Sequence, residues 1–119
     1  MSSKLATDVY DALKRMFPLN VILREHYVFY KGKRLFFDYF IKDLGVLIEC
    51  QGQQHTKFVE HFHGDGGAFL EQKKRDNLKR EYIQNSHELV LVRLYFNEEI
   101  TDNLIYDKIC KALEGGFYE

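Results

Sequence analysis

Apolar residues recur at helical spacing at the start of the chain. Leu5, Val9, Ala12, Leu13 and Met16 fall on one face of a helix predicted over residues 3–17, with Ser2 and Ser3 as caps and Pro18 as its stop. Residues 21–29, 34–41 and 46–51 are rich in β-branched and aromatic side chains and predict three strands. The joining segments, Tyr30-Lys31-Gly32-Lys33 and Lys42-Asp43-Leu44-Gly45, carry turn chemistry, so the three strands form an antiparallel meander. Helical spacing returns over residues 68–85, with Phe69, Leu78, Tyr82 and Ile83 inward and basic residues outward. Residues 88–96 (ELVLVRLYF) predict a fourth strand, too apolar for an exposed edge. It follows a helical crossover and is therefore expected parallel to the third strand. Thr101 or Asp102 caps a last helix that runs to Leu113 and ends at Gly115-Gly116, leaving residues 114–119 as a loose tail. The order α-β-β-β-α-β-α implies an α/β (α+β) fold: a four-stranded mixed sheet flanked by helices, with a C-terminal helix.

Two residues break this pattern. Asp38 interrupts the apolar run 35–41 and Glu49 interrupts VLIEC at 46–50. Pairing Ile41 with Val46 sets Asp38 opposite Glu49, and cross-strand Cβ atoms stand roughly 4.5–5.5 Å apart, where like charges repel. A divalent metal ion between them is the economical explanation, because carboxylates among apolar side chains cost stability without a positive partner. The first turn sets Glu25 opposite Asp38, placing Glu25, Asp38 and Glu49 in one row on one sheet face, with Gln51 projecting from the same face. For Glu25, in the mixed segment LREHY, a solvated surface acid is the simpler reading. For the other two it is not, since their expected same-face neighbours Phe36, Phe40 and Leu47 are apolar.

Composition narrows the class. The 119 residues make one domain with one core, and 45% hydrophobic and 15% aromatic content argue against disorder. A net charge of −1 excludes binding of nucleic acid by bulk charge, so any such contact must be local. No apolar run approaches the roughly 20 residues of a membrane helix, and the first residues lack a signal-peptide core. Cys50 and Cys110 have no CxxC partner and are expected reduced, in an intracellular protein.

Asp38, a ten-residue gap, then Glu49-Cys50-Gln51 resembles the metal motif of the PD-(D/E)xK nuclease superfamily, with Gln51 in the lysine position. Gly52-Gln53-Gln54-His55, Phe58, Ala68-Phe69, Arg75-Asp76-Asn77-Leu78-Lys79 and Tyr82 extend the resemblance to the branch containing very-short-patch repair (Vsr-like) and related homing endonucleases, over about residues 35–96. The superfamily's αβββαβ core matches the order above. The resemblance implies a DNA endonuclease using Mg²⁺, with Mn²⁺ as a substitute, held by Asp38, Glu49 and the backbone carbonyl of Cys50. Gln51 would orient the attacking water, and His55 would act as general base or protonate the leaving oxygen. Asp76 would orient His55 or hold an outer water; a helix pair with Lys73 or Arg80 is its plain alternative. Because glutamine carries no charge, the lysine's task falls to the metal, His55 or Lys79. Asp8 is the nearest counterpart of the family's amino-terminal helix glutamate.

The remaining candidates concern DNA. Lys73, Lys74, Arg75, Lys79 and Arg80 form the dense basic patch, read either as a solvated helix face or as a backbone-contact surface. Lys31, Lys33 and Arg34 form a second basic turn. His61 and His63 flank Phe62 in a glycine-rich loop, a weak zinc pattern that reads better as a DNA-contacting loop. Phe62 or Tyr30 would stack on bases. Three functions are weighed: a nicking, homing or mismatch-type endonuclease, a four-way-junction resolvase acting as a homodimer, and a non-catalytic DNA-binding module. So short a chain leaves little room for sequence reading, which implies a fused or associated recognition domain.

Overall fold

The computed structural model describes residues 4–52 and 66–115. Helix α1 (Lys4–Met16) buries Ala6, Val9, Ala12 and Leu13 and carries Lys14 and Arg15 in its last turn, where cations complement the helix dipole. Strands β1 (Ile22–Tyr30) and β2 (Lys33–Ile41) are joined by Lys31 and Gly32, at φ +50° and +78°. Two left-handed central residues make the tight hairpin turn whose twist suits the strands. A 3-10 turn over Lys42–Leu44 leads into β3 (Val46–Gln51) through Gly45 at φ +67°. A Cβ on Gly45 would lie 2.2 Å from the carbonyl oxygen of Glu88, so conformation and space both demand glycine there. Helix α2 (Gly66–Asn85), strand β4 (Val90–Tyr95) and helix α3 (Asp102–Gly115) complete the order. Thr101 caps α3, its Oγ1 accepting the Leu104 N–H at 3.1 Å.

The four strands lie in the order β1-β2-β3-β4. The first three pair antiparallel and β4 pairs parallel to β3, as the crossover requires. The fold is thus the mixed α/β architecture expected from the pattern. One expectation is corrected: among the described residues, β4 is an edge strand. Its apolar side chains are buried from both faces by helices, so composition reported coverage of the faces and not a neighbour on the open backbone edge.

Two apolar clusters hold the faces. Tyr39, Ile41, Val46, Ile48, Val92 and Leu94 pack with Val9 and Leu13 of α1 and Ile105 and Ile109 of α3. Leu35, Phe37, Leu47 and Leu91 pack with Ile83 of α2, joined by Phe40, Leu78 and Tyr82. Residues 35, 37, 39 and 41 share one parity, yet the first two face α2 and the last two face α1 and α3. The alternation of β2 therefore reverses at Asp38. Its hairpin partner region reverses as well, at Glu25, whose φ is +54°. The single row of acids on one regular face is corrected accordingly, and Phe36 leaves the face of Phe40 and Leu47.

The same position ends the β2–β3 ladder. Strand β2 pairs with β1 on both sides of Asp38, from Lys33 to Phe37 and from Tyr39 to Ile41, but with β3 only from Tyr39↔Ile48 to Ile41↔Val46. Beyond Tyr39 the strands part, while β3 continues beside β4 to Gln51↔Tyr95. Among the described residues no helix is long and apolar enough to cross a membrane.

Candidate functional site

Where β2 and β3 part, a cavity of about 170 Å³ opens, lined by Phe36, Asp38, Glu49, Cys50, Gln51, Asp76 and Lys79. Five of these seven are side chains singled out from the sequence for chemistry. Strand β2 supplies Asp38, the end of β3 supplies Glu49 and Gln51, and the middle of α2 supplies Asp76 and Lys79. The pairing of Asp38 with Glu49 is not a ladder pair. Instead, Asp38 Oδ2 accepts the backbone N–H of Cys50 at 2.8 Å. The carboxylate thus takes the place of a strand carbonyl at the point where the ladder stops, which fixes Asp38 at the mouth of the gap.

Glu49 is 4% exposed and is held from three sides. Lys79 Nζ donates to its Oε1. Arg93 Nε donates to Oε2 at 3.1 Å, and Gln51 Nε2 to the same oxygen at 3.3 Å. Arg93 is the parallel ladder partner of Glu49 and is 6% exposed. Its Nη2 stands 3.9 Å from Asp76 Oδ1, which ties the helix acid to the same network. Arg93 was missed by the sequence reading. The signal was present, a lone charge inside the strand VLVRLY, and parallel pairing of the two strands brings it beside the lone charge of VLIEC. The side chain of Lys79 is 13% exposed, and its ammonium lies 5.2 Å from the Phe37 ring centroid. Buried charges of opposite sign repay the cost of leaving water only with this density of hydrogen bonding.

Burial pushes the Cys50 thiol up, and the negative charges of Asp38 and Glu49 push it further. It therefore stays protonated, and its contribution is through the backbone. Tyr39, on the far side of the sheet, is pushed up to about 12, chiefly by burial. Its hydroxyl donates to the Ala6 carbonyl at 2.7 Å and pins α1 to β2.

Other expected site residues lie elsewhere. Asp8 is exposed on α1 and pairs with Lys4 at 3.0 Å. Glu25 is exposed in β1 and does not line the cavity. Lys79 belongs to the cavity and not to an outer basic surface, because the α2 face carrying it packs on the sheet. Lys73, Lys74, Arg75 and Arg80 are exposed along α2, with Lys74 Nζ 3.9 Å from Glu71. Lys31 pairs with Glu81 of α2, Lys33 lies 3.9 Å from Glu71, and Arg34 lies over the rings of Tyr27 and Phe29. Tyr30, expected to stack on bases, meets Tyr82 edge-on at 5.5 Å between centroids and accepts a hydrogen bond from Asn85. His55, Phe58, His61, Phe62 and His63 lie outside the described residues, as does the side chain of Phe69. Among the described residues no group of three His, Cys, Asp or Glu side chains converges as a metal cage. A larger cavity of about 400 Å³, between the ends of α2 and α3 and lined partly by Ile83, His87 and Leu113, gathers no comparable charges.

Comparison with known proteins adds one relative. The chain is 34% identical over 62 residues to an uncharacterized protein, 307L, of Invertebrate iridescent virus 6. The match spans 52% of this chain and 31% of the viral protein. No family model matches the chain. No solved structure matches it either.

Proposed function

We propose that this chain is a metal-dependent endonuclease domain that hydrolyses phosphodiester bonds of DNA. The observation that carries the reading is the convergence of Asp38, Glu49, Gln51 and Lys79 on one small open cavity at a break in the sheet. Two carboxylates and one ammonium on a phosphate-sized cleft are what a charged, oxygen-rich substrate requires.

The donors suit Mg²⁺ or Mn²⁺ in type: Asp38, Glu49 and the Cys50 carbonyl are hard oxygens, and few protein ligands suffice for an ion that keeps several waters. When bound, such an ion would offset phosphate charge and make a neighbouring water more acidic. Glu49 meets Lys79 and Arg93 through separate oxygens, so Arg93 holds the carboxylate in place while Lys79 exchanges Glu49 for a phosphate oxygen. Lys79 thereby supplies the positive group that Gln51 cannot. The Gln51 amide, beside Glu49, positions the attacking water. Asp76, 3.9 Å from Arg93, keeps that arginine aimed at Glu49. His55 remains the proposed proton-transfer group, and exposed Lys73, Arg75 and Arg80 the proposed contacts to the DNA backbone. A homodimer or an associated DNA-reading domain is the proposed partner.

A specific observation favours a second reading. Glu49 accepts from Lys79, Arg93 and Gln51, so its charge is met by side chains alone. A DNA-binding module with a structural ion cluster would look the same. Nicking of supercoiled plasmid with Mg²⁺ or Mn²⁺ separates the two. The nuclease reading expects nicking by the parent and its loss in Asp38→Asn and Lys79→Met. Equal nicking by all three would assign the activity to a contaminant and leave the module standing.

A further inference from the structure

Among the described residues, the outer half of the β1–β2 hairpin is covered by α2 on one face only. On the other face four side chains form a continuous surface. Tyr27 and Phe36 are ladder partners with ring centroids 5.1 Å apart. Phe29 and Arg34 are ladder partners too, and the Arg34 guanidinium lies 5.7 Å from the Phe29 ring centroid and 5.4 Å from that of Tyr27. Cross-strand pairing explains why such residues suit a hairpin. It does not explain why 74% of Phe29 and 51% of Tyr27 remain in water, since buried area is what makes aromatic pairs worthwhile. The surface also leads somewhere: Phe36 touches Tyr27 and lines the cavity of Asp38, Glu49 and Lys79.

We infer that Tyr27, Phe29 and Arg34 form a stacking platform for a single-stranded stretch of nucleic acid whose backbone enters the cavity past Phe36. The inference rests on the nuclease reading and names the form of its substrate. Exposed rings offer faces on which any base can stack, and a guanidinium held over them adds charge attractive to the adjoining phosphates. An apolar protein partner would not need the arginine spread across both rings, and duplex DNA presents no free base faces to them. The order Phe29, Tyr27, Phe36, cavity gives the strand a track of successive aromatic steps ending at Asp38.

Fluorescence anisotropy with a labelled oligothymidylate, in EDTA so that nothing is cut, tests the platform. The parent is expected to bind, and Phe29→Ala with Tyr27→Ala to weaken binding by at least about ten-fold, the scale of losing one base stack. Tyr27→Phe with Phe29→Trp should retain parental affinity, and circular dichroism confirms that each variant is folded. Tyr106→Ala, which removes a ring of comparable exposure on α3, should bind like the parent, separating the platform from the loss of any exposed aromatic side chain. Equal binding by the parent and the double alanine variant would overturn the inference, as would a parent that binds duplex but no single strand. A double alanine variant that converts a dimer to monomers with unchanged binding would also overturn it, marking the face as a contact between copies. A platform that passes these tests in a chain that nicks nothing would sink the nuclease reading alone.

Discussion

Replacing Arg93 by methionine removes one buried cation and leaves Glu49 with Lys79 and Gln51. The Glu49 and Arg93 side chains are 5% and 7% exposed, so solvent screens their attraction little. Breaking a buried pair by deleting one partner costs about 3–5 kcal/mol, because the survivor stays desolvated without its counter-charge. A domain of this size has a total stability of roughly 5–15 kcal/mol, so the loss is about a fifth or more of the whole. At about 4 °C per kcal/mol, the melting temperature should fall by roughly 12–20 °C. Urea denaturation at pH 7, followed by circular dichroism, reads the free energy directly, and the double variant Glu49→Leu with Arg93→Met closes the cycle. With Lys79→Met added, the variant should be markedly more stable than Arg93→Met, since apolar replacement of all three charges leaves none of them orphaned. A loss below about 1 kcal/mol in Arg93→Met, the range of an exposed ion pair, would refute a buried cluster around Glu49.

Three further outcomes follow from the geometry. Gly45→Ala must place a side chain at φ +67° against the Glu88 carbonyl and should lose about 2 kcal/mol or more in the same denaturation assay. Cys50 is pushed above its ordinary thiol value in the folded protein, so its contribution is complete below the unfolded thiol pKa and is lost as pH rises. Melting curves should therefore show stability falling above about pH 8.5, by up to roughly 1.4 kcal/mol per pH unit, and falling less steeply in Cys50→Ala. Tyr39→Phe deletes the buried hydroxyl that donates to Ala6 and should cost about 1–2 kcal/mol in thermal unfolding while leaving the cavity intact.

The sequence disclosed the strands and helices because their apolar periods are strong and their turns carry glycine where φ is positive, at Gly32 and Gly45. It also disclosed Asp38 and Glu49, since a lone acid in an apolar strand is conspicuous. What it concealed was the reversal at Asp38. Residues 35–41 are apolar at almost every position, so a change of face leaves no trace in the pattern, and a regular hairpin was the natural extrapolation. The role of Arg93 required the β3–β4 register, which depends on Val90 N–H meeting the Gly45 carbonyl at 2.9 Å, a contact 45 residues apart in sequence. Lys79 was identified by residue but placed on two surfaces at once. Only the packing of α2 on Phe37 and Leu47 decides between them. Glu25 rests on hairpin register and Asp8 on the resemblance alone, and neither says where a strand or helix stops facing its neighbours.

Isothermal titration of the metal-free protein with Mn²⁺ tests most directly whether Asp38 and Glu49 together hold a divalent cation. The account predicts a saturable binding event in the parent, accompanied by a rise in melting temperature because the ion prefers the native state. It predicts loss of that event in Asp38→Asn and in Glu49→Gln, and tighter binding in Lys79→Met, where no ammonium competes for Glu49. Parental affinity in both carboxylate variants, or no binding by the parent at all, would contradict it.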